Sequence, residues 1–111
     1  MTDREPADTL LARLAEPYLG KPGVSWGRMF STDGLSLRGK IFAVVNHSGN
    51  LMVKVPAARA DELDASGAAQ RMVMHGREMR EWVEMPLERG EAAWSELLAE
   101  AHDYLDTITP R

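Results

Sequence analysis

The sequence predicts an α+β domain in which an antiparallel sheet of about six strands packs with three helices, in the order α-β-β-β-β-α-β-β-α. Between residues 24 and 55, short apolar runs alternate with turn signals, and consecutive strands joined by short turns pair in an antiparallel way. Near the C-terminus, apolar residues recur at helical spacing, which is typical of a helix packed on a sheet. A chain of 111 residues has room for one such domain.

Three segments carry helix signals. Pro6 suits the first turn of a helix, and a leucine stripe follows it, until Pro17 is expected to end or kink the helix. A second helix opens at Pro56 and closes just before Gly67, the residue type most common past a helix end. The third, over residues 91–106, has the strongest amphipathic pattern. Its apolar stripe consists of Trp94, Leu97, Leu98, Ala101 and Leu105.

Six short segments are predicted as strands. They are residues 24–30, 35–38, 41–45, 51–55, 71–75 and 80–85. Tight turns are expected at Asp33-Gly34, Gly39-Lys40, residues 47–50 and Gly76-Arg77. The segment 41–45 is apolar on both faces of the strand, so we place it in the centre of the sheet with both sides covered.

Composition excludes several classes of protein. The chain holds no cysteine, which excludes a disulfide framework, a thiolate metal site and a cysteine nucleophile. No apolar run approaches the roughly 20 residues of a membrane span, and the acidic, polar N-terminal segment is unlike a signal peptide. We therefore expect a cytoplasmic protein with no membrane partner. The formal net charge is −4, yet residues 21–80 are basic between two acidic flanks.

Four segments over residues 8–106 carry a family resemblance. They are Arg28-Met29-Phe30, the stretch from Gly34-Leu35 through Gly39-Lys40-Ile41-Phe42-Ala43, Leu51-Met52-Val53-Lys54-Val55-Pro56, and the stretch from Gly76 to Val83. In this order and spacing, the chain resembles the N-terminal domain of the TfoX/Sxy competence-regulator family, within the group that includes the YjbR/MmcQ-like proteins.

The resemblance implies an α+β fold and a bacterial, cytoplasmic setting, and it assigns no catalytic residue. Larger members of the family carry a second, C-terminal domain and are associated with natural competence and transcriptional regulation. We expect this chain to be a stand-alone domain of that type over residues 1–111, with a regulatory role as the implied one.

The segment around the last predicted strand is the best candidate for a binding surface. Arginine holds anions through two parallel hydrogen bonds, and tryptophan stacks on rings and bases. The structural alternative is that Trp82 belongs to the core and that the arginines pair with helix acids. Glu81 and Glu84 in the same strand are expected to be solvated. The candidate surface residues are His75, Arg77, Arg80 and Trp82.

A second set of residues would contact phosphates if the basic middle segment binds nucleic acid. An overall acidic chain argues against a dedicated DNA-binding domain, and acidic helices beside a basic sheet edge explain the same charges. The phosphate-contacting candidates are Arg28, Arg38, Lys40 and Lys54.

No motif predicts a catalytic residue, a metal site or a cofactor. The histidines His47, His75 and His102 lack metal-ligand spacing, and no nucleophile elbow or phosphate-binding glycine loop is present. We therefore predict a non-enzymatic binding or interaction module. Its partner is expected to be a protein or a second copy of the chain, because a second copy could cover the apolar central strand through the methionines near residues 72–85. A weak nucleic-acid binder is the alternative, and a small-molecule enzyme is third.

Overall fold

The computed structural model describes residues 5–29 and 32–110 and confirms the α+β order. Phe30, expected to end the first strand, lies outside the described residues. The elements are α1 (Glu5–Leu19), β1 (Val24–Met29), β2 (Thr32–Leu37), β3 (Lys40–Val45), β4 (Leu51–Lys54), α2 (Ala57–Ser66), β5 (Gln70–Met74), β6 (Arg77–Met85), a single 3-10 turn at Leu87–Arg89, and α3 (Glu91–Ile108).

The six strands of the described residues form one sheet in the order β1-β2-β3-β4-β6-β5, and every neighbouring pair is antiparallel. β3 and β4 therefore lie in the middle, as their apolar sequences predict. β1 and β5 are the edge strands, and α2 connects β4 to β5.

The three helices cover one face of the sheet. The predicted stripe of α3 is buried, and its Trp94 also donates from Nε1 to the carbonyl of Pro86 at 3.0 Å. α1 contributes buried alanines and leucines and continues through Pro17 to Leu19. Near a helix end, proline removes a single hydrogen bond, so the packed stripe upstream is enough to keep the last turn helical. Of the two outcomes expected at Pro17, an end or a kink of the helix, the end is wrong.

Two hairpin turns begin one residue earlier than expected. Arg38 and Gly39 have φ angles of 48° and 86°, and His75 and Gly76 have φ angles of 54° and 77°. A two-residue hairpin turn of this kind requires positive φ at both central residues. Each glycine is therefore the second turn residue rather than the first, and the following strand starts immediately after it.

The turn expected at Asp33-Gly34 is wrong, because both residues lie within β2. Gly34 is paired with Gly27 on one side and with Val44 on the other. A Cβ atom at Gly34 would lie 3.0 Å from the carbonyl oxygen of Ala43 and 3.1 Å from the Cβ of Val44. Glycine is needed here for the close approach of β3 and not for a turn.

The sheet face opposite the helices, called here the helix-free face, carries a second and smaller apolar cluster. Its buried members are Val44, Met52 and Met72, and its half-buried members are Ile41, Met74, Met79 and Trp82. Val44 is fully buried. Both faces of the central strand β3 are thus covered within the chain, by the helices on one side and by residues of β5 and β6 on the other.

An irregularity in strand pairing lets β5 and β6 provide this cover. Between the pairs Arg71↔Val83 and Val73↔Glu78, β5 advances by two residues while β6 advances by five. Such a bulge bends a strand, and it brings the end of the β5–β6 hairpin over the helix-free face.

Arg71 holds the bent segment in place. Its Nη1 donates to the carbonyls of Met79 at 3.1 Å and Arg80 at 2.9 Å, and its Nη2 pairs with the carboxylate of Asp61 on α2. The backbone N–H of Arg71 donates to Oδ1 of Asp64 at 3.3 Å. α2 therefore anchors both the bend and the outer edge of β5.

Candidate functional site

A cleft of about 500 Å³ opens on the helix-free face between the β3–β4 loop and the end of the β5–β6 hairpin. We call it the hairpin cleft. Met52 and Met72 contribute apolar surface from neighbouring parts of the sheet, and Val73 and Met74 contribute more from the edge strand β5. Ligand sites in proteins share this character of a mostly apolar lining with a few polar groups.

The polar side of the hairpin cleft is formed by Glu84. Its Oε1 accepts hydrogen bonds from Nδ2 of Asn50 at 2.8 Å and from Nδ2 of Asn46 at 3.3 Å. Asn46 also organises its own loop, because its Oδ1 accepts the backbone N–H groups of Ser48 at 3.0 Å and Asn50 at 2.9 Å. Among the described residues, no donor reaches the second carboxylate oxygen of Glu84. Glu84, with one carboxylate oxygen that has no donor in the described part of the chain, therefore lines a mostly apolar cleft.

Two of the three histidines line the hairpin cleft. His47 lies in the β3–β4 loop and His75 in the β5–β6 turn, and both are exposed. Within the described part of the chain, neither ring is hydrogen-bonded to Glu84 or to Ser48. His102 lies on the other side of the sheet, with its ring centroid 5.3 Å from that of Tyr18. No group of three or more potential metal-ligating side chains occurs in residues 5–29 and 32–110.

The four residues of the predicted binding surface do not meet in one place. His75 lines the hairpin cleft, and Arg77 is exposed at the start of β6. Arg80 is exposed in the bulged part of β6. Trp82 packs half-buried on the apolar cluster of the helix-free face, which is close to the structural alternative considered for it.

Trp82 also lines a second groove, of about 370 Å³, with two of the phosphate-contacting candidates, Lys40 and Lys54. We call it the lysine groove. It lies where β3 begins, beside the C-terminal end of α3. Lys54 places its Nζ 3.8 Å from Oε1 of Glu81. The structure thus brings together three residues that the sequence assigned to two different sets.

The two arginines of the phosphate set lie elsewhere. Arg38 points its guanidinium at the end of α3, where it donates to the carbonyls of Asp106, Thr109 and Pro110. Arg28 lies near the other end of the β1–β2 hairpin and is 3.4 Å from Oδ1 of Asp33, with both side chains mostly exposed. The four basic candidates therefore do not form one continuous stripe.

The sequence predicts that Glu81 and Glu84 are solvated, and this is wrong. Both side chains are half-buried and hydrogen-bonded. Tyr104 on α3 donates its hydroxyl to Oε2 of Glu81 at 2.5 Å, and this hydrogen bond raises the pKa of Tyr104 above its ordinary value of 10.0. Side chains alternate between the two faces along β6, so Glu84 lies on the same face as Trp82. In addition, an asparagine stands at each end of the β3–β4 loop. These two features of the sequence could together have indicated the hairpin cleft.

Comparison with family models matches residues 18–103 to the TfoX N-terminal domain. The chain belongs to the TfoX N-terminal domain family. The match confirms the resemblance and covers all six strands, with both Lys40 and Glu84. Comparisons with curated proteins and with solved structures found no match. Among the described residues of this TfoX N-terminal domain, no helix combines the length and apolarity that crossing a membrane requires.

Proposed function

We propose that this TfoX N-terminal domain is a non-enzymatic binding module with a regulatory role, and that its partner is a second copy of the same chain. The observation that carries the proposal is the hairpin cleft, a mostly apolar cavity of about 500 Å³ on the sheet face opposite the helices. Such cavities accept an apolar anchor from a partner surface, and a few anchors of this kind supply most of the affinity of an interface.

The lining of the hairpin cleft favours binding over chemistry. General acid–base and nucleophilic catalysis both need a reactive group within hydrogen-bond reach of a second group that activates it. In the hairpin cleft, Glu84 is held by two asparagine amides, while His47 and Ser48 do not contact it in the described structure. Methionine, which contributes much of the apolar lining, repacks readily against different surfaces.

The surface beside the hairpin cleft supports a protein partner. Val73 on the edge strand β5 is 62% exposed, the largest exposure among the large apolar side chains of the described residues. The chain does not need a second copy to cover β3, because Val44 is already buried by its own neighbours. The proposal therefore rests on Val73 and the hairpin cleft, and two-fold pairing is the commonest form of self-association.

Sedimentation equilibrium at micromolar concentrations tests the proposal. We expect a species of twice the chain mass of 12.3 kDa for the wild type, and a species of the chain mass for Val73→Asp. Leu19→Asp is the matched control, because Leu19 is 37% exposed and lies at the end of α1, away from the hairpin cleft. A wild type that sediments at the chain mass throughout, or equal dissociation by both variants, would contradict self-association through this surface.

Nucleic-acid binding is the second candidate, and the lysine groove is the observation that favours it. Lys40 and Lys54 next to Trp82 combine cationic groups with an aromatic ring, as single-strand binding surfaces do. If this groove binds a single-stranded oligonucleotide, affinity falls steeply with salt, and Lys40→Gln flattens that dependence. The absence of binding at about 50 mM salt would exclude this candidate, since counterion release is then most favourable.

A further inference from the structure

We infer that the hairpin cleft binds a small organic ammonium ion, in which a primary ammonium group is carried on an apolar chain. Glu84 is the partner of the ammonium group, and the methionines of the cleft receive the apolar chain. This ligand is distinct from the second copy proposed above, and its binding does not depend on self-association.

The charge of the hairpin cleft selects a cation. Apart from two histidines, Glu84 is the one ionisable side chain among the described residues that line the cleft, and no lysine or arginine is among them. The neighbouring carboxylate of Glu81 lies 3.8 Å from Nζ of Lys54, whereas Glu84 forms no ion pair within the described part of the chain. A half-buried carboxylate in mostly apolar surroundings is stabilised by a cation brought close to it.

The hydrogen bonds of Glu84 favour an ammonium over a guanidinium. Asn46 and Asn50 both donate to Oε1, at 3.3 Å and 2.8 Å, so this oxygen is already engaged. A guanidinium binds a carboxylate most strongly when it reaches both oxygens through two parallel hydrogen bonds. The second oxygen of Glu84, which has no donor among the described residues, suits the compact single charge of an ammonium. Because the two asparagines already hold the carboxylate, binding orders little that is not ordered before.

The rest of the lining selects an apolar chain on the ammonium. Met52 and Met72 are buried in the apolar cluster of the helix-free face, and Val73 lines the same cleft with 62% of its surface exposed. Methionine side chains adapt their shape to different apolar groups. The cleft volume of about 500 Å³ lies in the range of small-molecule sites and exceeds what a bare metal ion fills.

Isothermal titration calorimetry of the full chain with three six-carbon probes tests the charge requirement. We expect hexylamine, which is protonated at neutral pH, to bind about tenfold or more tightly than 1-hexanol, because hydrogen bonds to charged groups are the stronger ones. Hexanoate is expected not to bind. Glu84→Gln keeps an oxygen for the two asparagines and is expected to bind hexylamine no more tightly than 1-hexanol. An unchanged affinity of this variant for 1-hexanol shows that its cleft is intact.

Glu96→Gln is the matched control, because Glu96 is exposed on α3 and its replacement changes the net charge of −4 by the same amount. We expect it to leave the affinity for hexylamine unchanged, whereas a general attraction of amines to an acidic protein would weaken equally in both variants. From butylamine to octylamine, affinity is expected to rise by up to about fourfold for each methylene that enters the cleft. Equal affinity of the wild type for hexylamine and 1-hexanol, equal losses in the two variants, or no rise with chain length would overturn the inference.

Two further comparisons separate the small ligand from a protein partner. Nα-acetyl-lysine methylamide carries its ammonium on a four-carbon chain, as butylamine does, and tighter binding than butylamine would assign the site to a lysine side chain of a protein instead. Competition from a second copy weakens hexylamine and 1-hexanol equally, so the ratio of their affinities tests the ammonium requirement whether or not the chain self-associates. A monomeric wild type that prefers hexylamine would overturn the proposed self-association alone.

Discussion

Arg38 donates from Nη2 to the carbonyl of Thr109 at 2.7 Å and so ties the β2–β3 turn to the end of α3. The same guanidinium donates to the carbonyl of Pro110 at 3.1 Å, and to both the carbonyl and Oδ1 of Asp106 at 3.2 Å. The last carbonyls of a helix have no partner within the helix. Arg38 supplies that partner from a distant part of the chain, and its charge complements the helix dipole.

Replacing Arg38 is therefore expected to cost stability. Arg38→Lys keeps the charge but loses the planar set of donors, so we expect the free energy of unfolding in urea to fall by about 1–3 kcal/mol. Arg28→Lys is the control, since its side chain is 72% exposed and its pairing with Asp33 is loose. We expect less than about 0.5 kcal/mol there. Equal losses in the free energy of unfolding for the two variants would show that the contacts of Arg38 at the helix end do not stabilise the fold.

The sequence predicts those parts of the fold that depend on residues close together in the chain. The stripe of α3 repeats at helical spacing from Trp94 to Leu105, and burial of that stripe is what the structure shows. The two hairpin turns were misplaced by one residue, because a glycine indicates positive φ without showing which central position it occupies. The turn predicted at Gly34 is wrong for a related reason, since glycine occurs both in turns and where two strands approach closely.

The site was less predictable, because it depends on residues that are far apart in the chain. The hydrogen bonds to Glu84 come from asparagines 34 and 38 residues away, and sequence spacing carries no signal over such separations. The link between Arg38 and Thr109 spans 71 residues. The sequence therefore predicts phosphate contact for Arg38 from its charge alone. The sequence predicts His75 as the last residue of a strand, whereas the structure has it in the β5–β6 turn. Its proximity to the β3–β4 loop depends on the bulge in β6.

Gly34→Ala is expected to destabilise the sheet. The added methyl group would contact the backbone of Ala43, which cannot move without disturbing the pairing of β2 with β3. We expect a loss of about 1–3 kcal/mol in the free energy of unfolding. Gly20→Ala is the control, because nothing lies within 4 Å of a Cβ atom at Gly20. A loss at Gly34 no larger than that at Gly20 would mean that the strands accommodate the methyl group.

Leu98→Ala tests the packing of α3 on the sheet. Leu98 is fully buried in the main core cluster, so truncation removes apolar burial and leaves a cavity. We expect the free energy of unfolding to fall by about 2–5 kcal/mol. Leu19→Ala, at the exposed end of α1, serves as the control and is expected to cost well under half of that. Urea unfolding monitored by the fluorescence of Trp94 and the other tryptophans measures both.

Alkaline pH is expected to weaken the contact between α3 and β6. The hydrogen bond to Glu81 raises the pKa of Tyr104 above 10.0, so the unfolded chain loses this proton at a lower pH than the folded chain does. The stabilisation is therefore complete below about pH 10 and is lost as the pH rises through the folded-state pKa. Urea unfolding of the wild type and Tyr104→Phe across this range measures the effect. The stability difference between them should shrink as the pH rises. A difference that stays constant would show that the Tyr104 hydroxyl does not stabilise the fold through its proton.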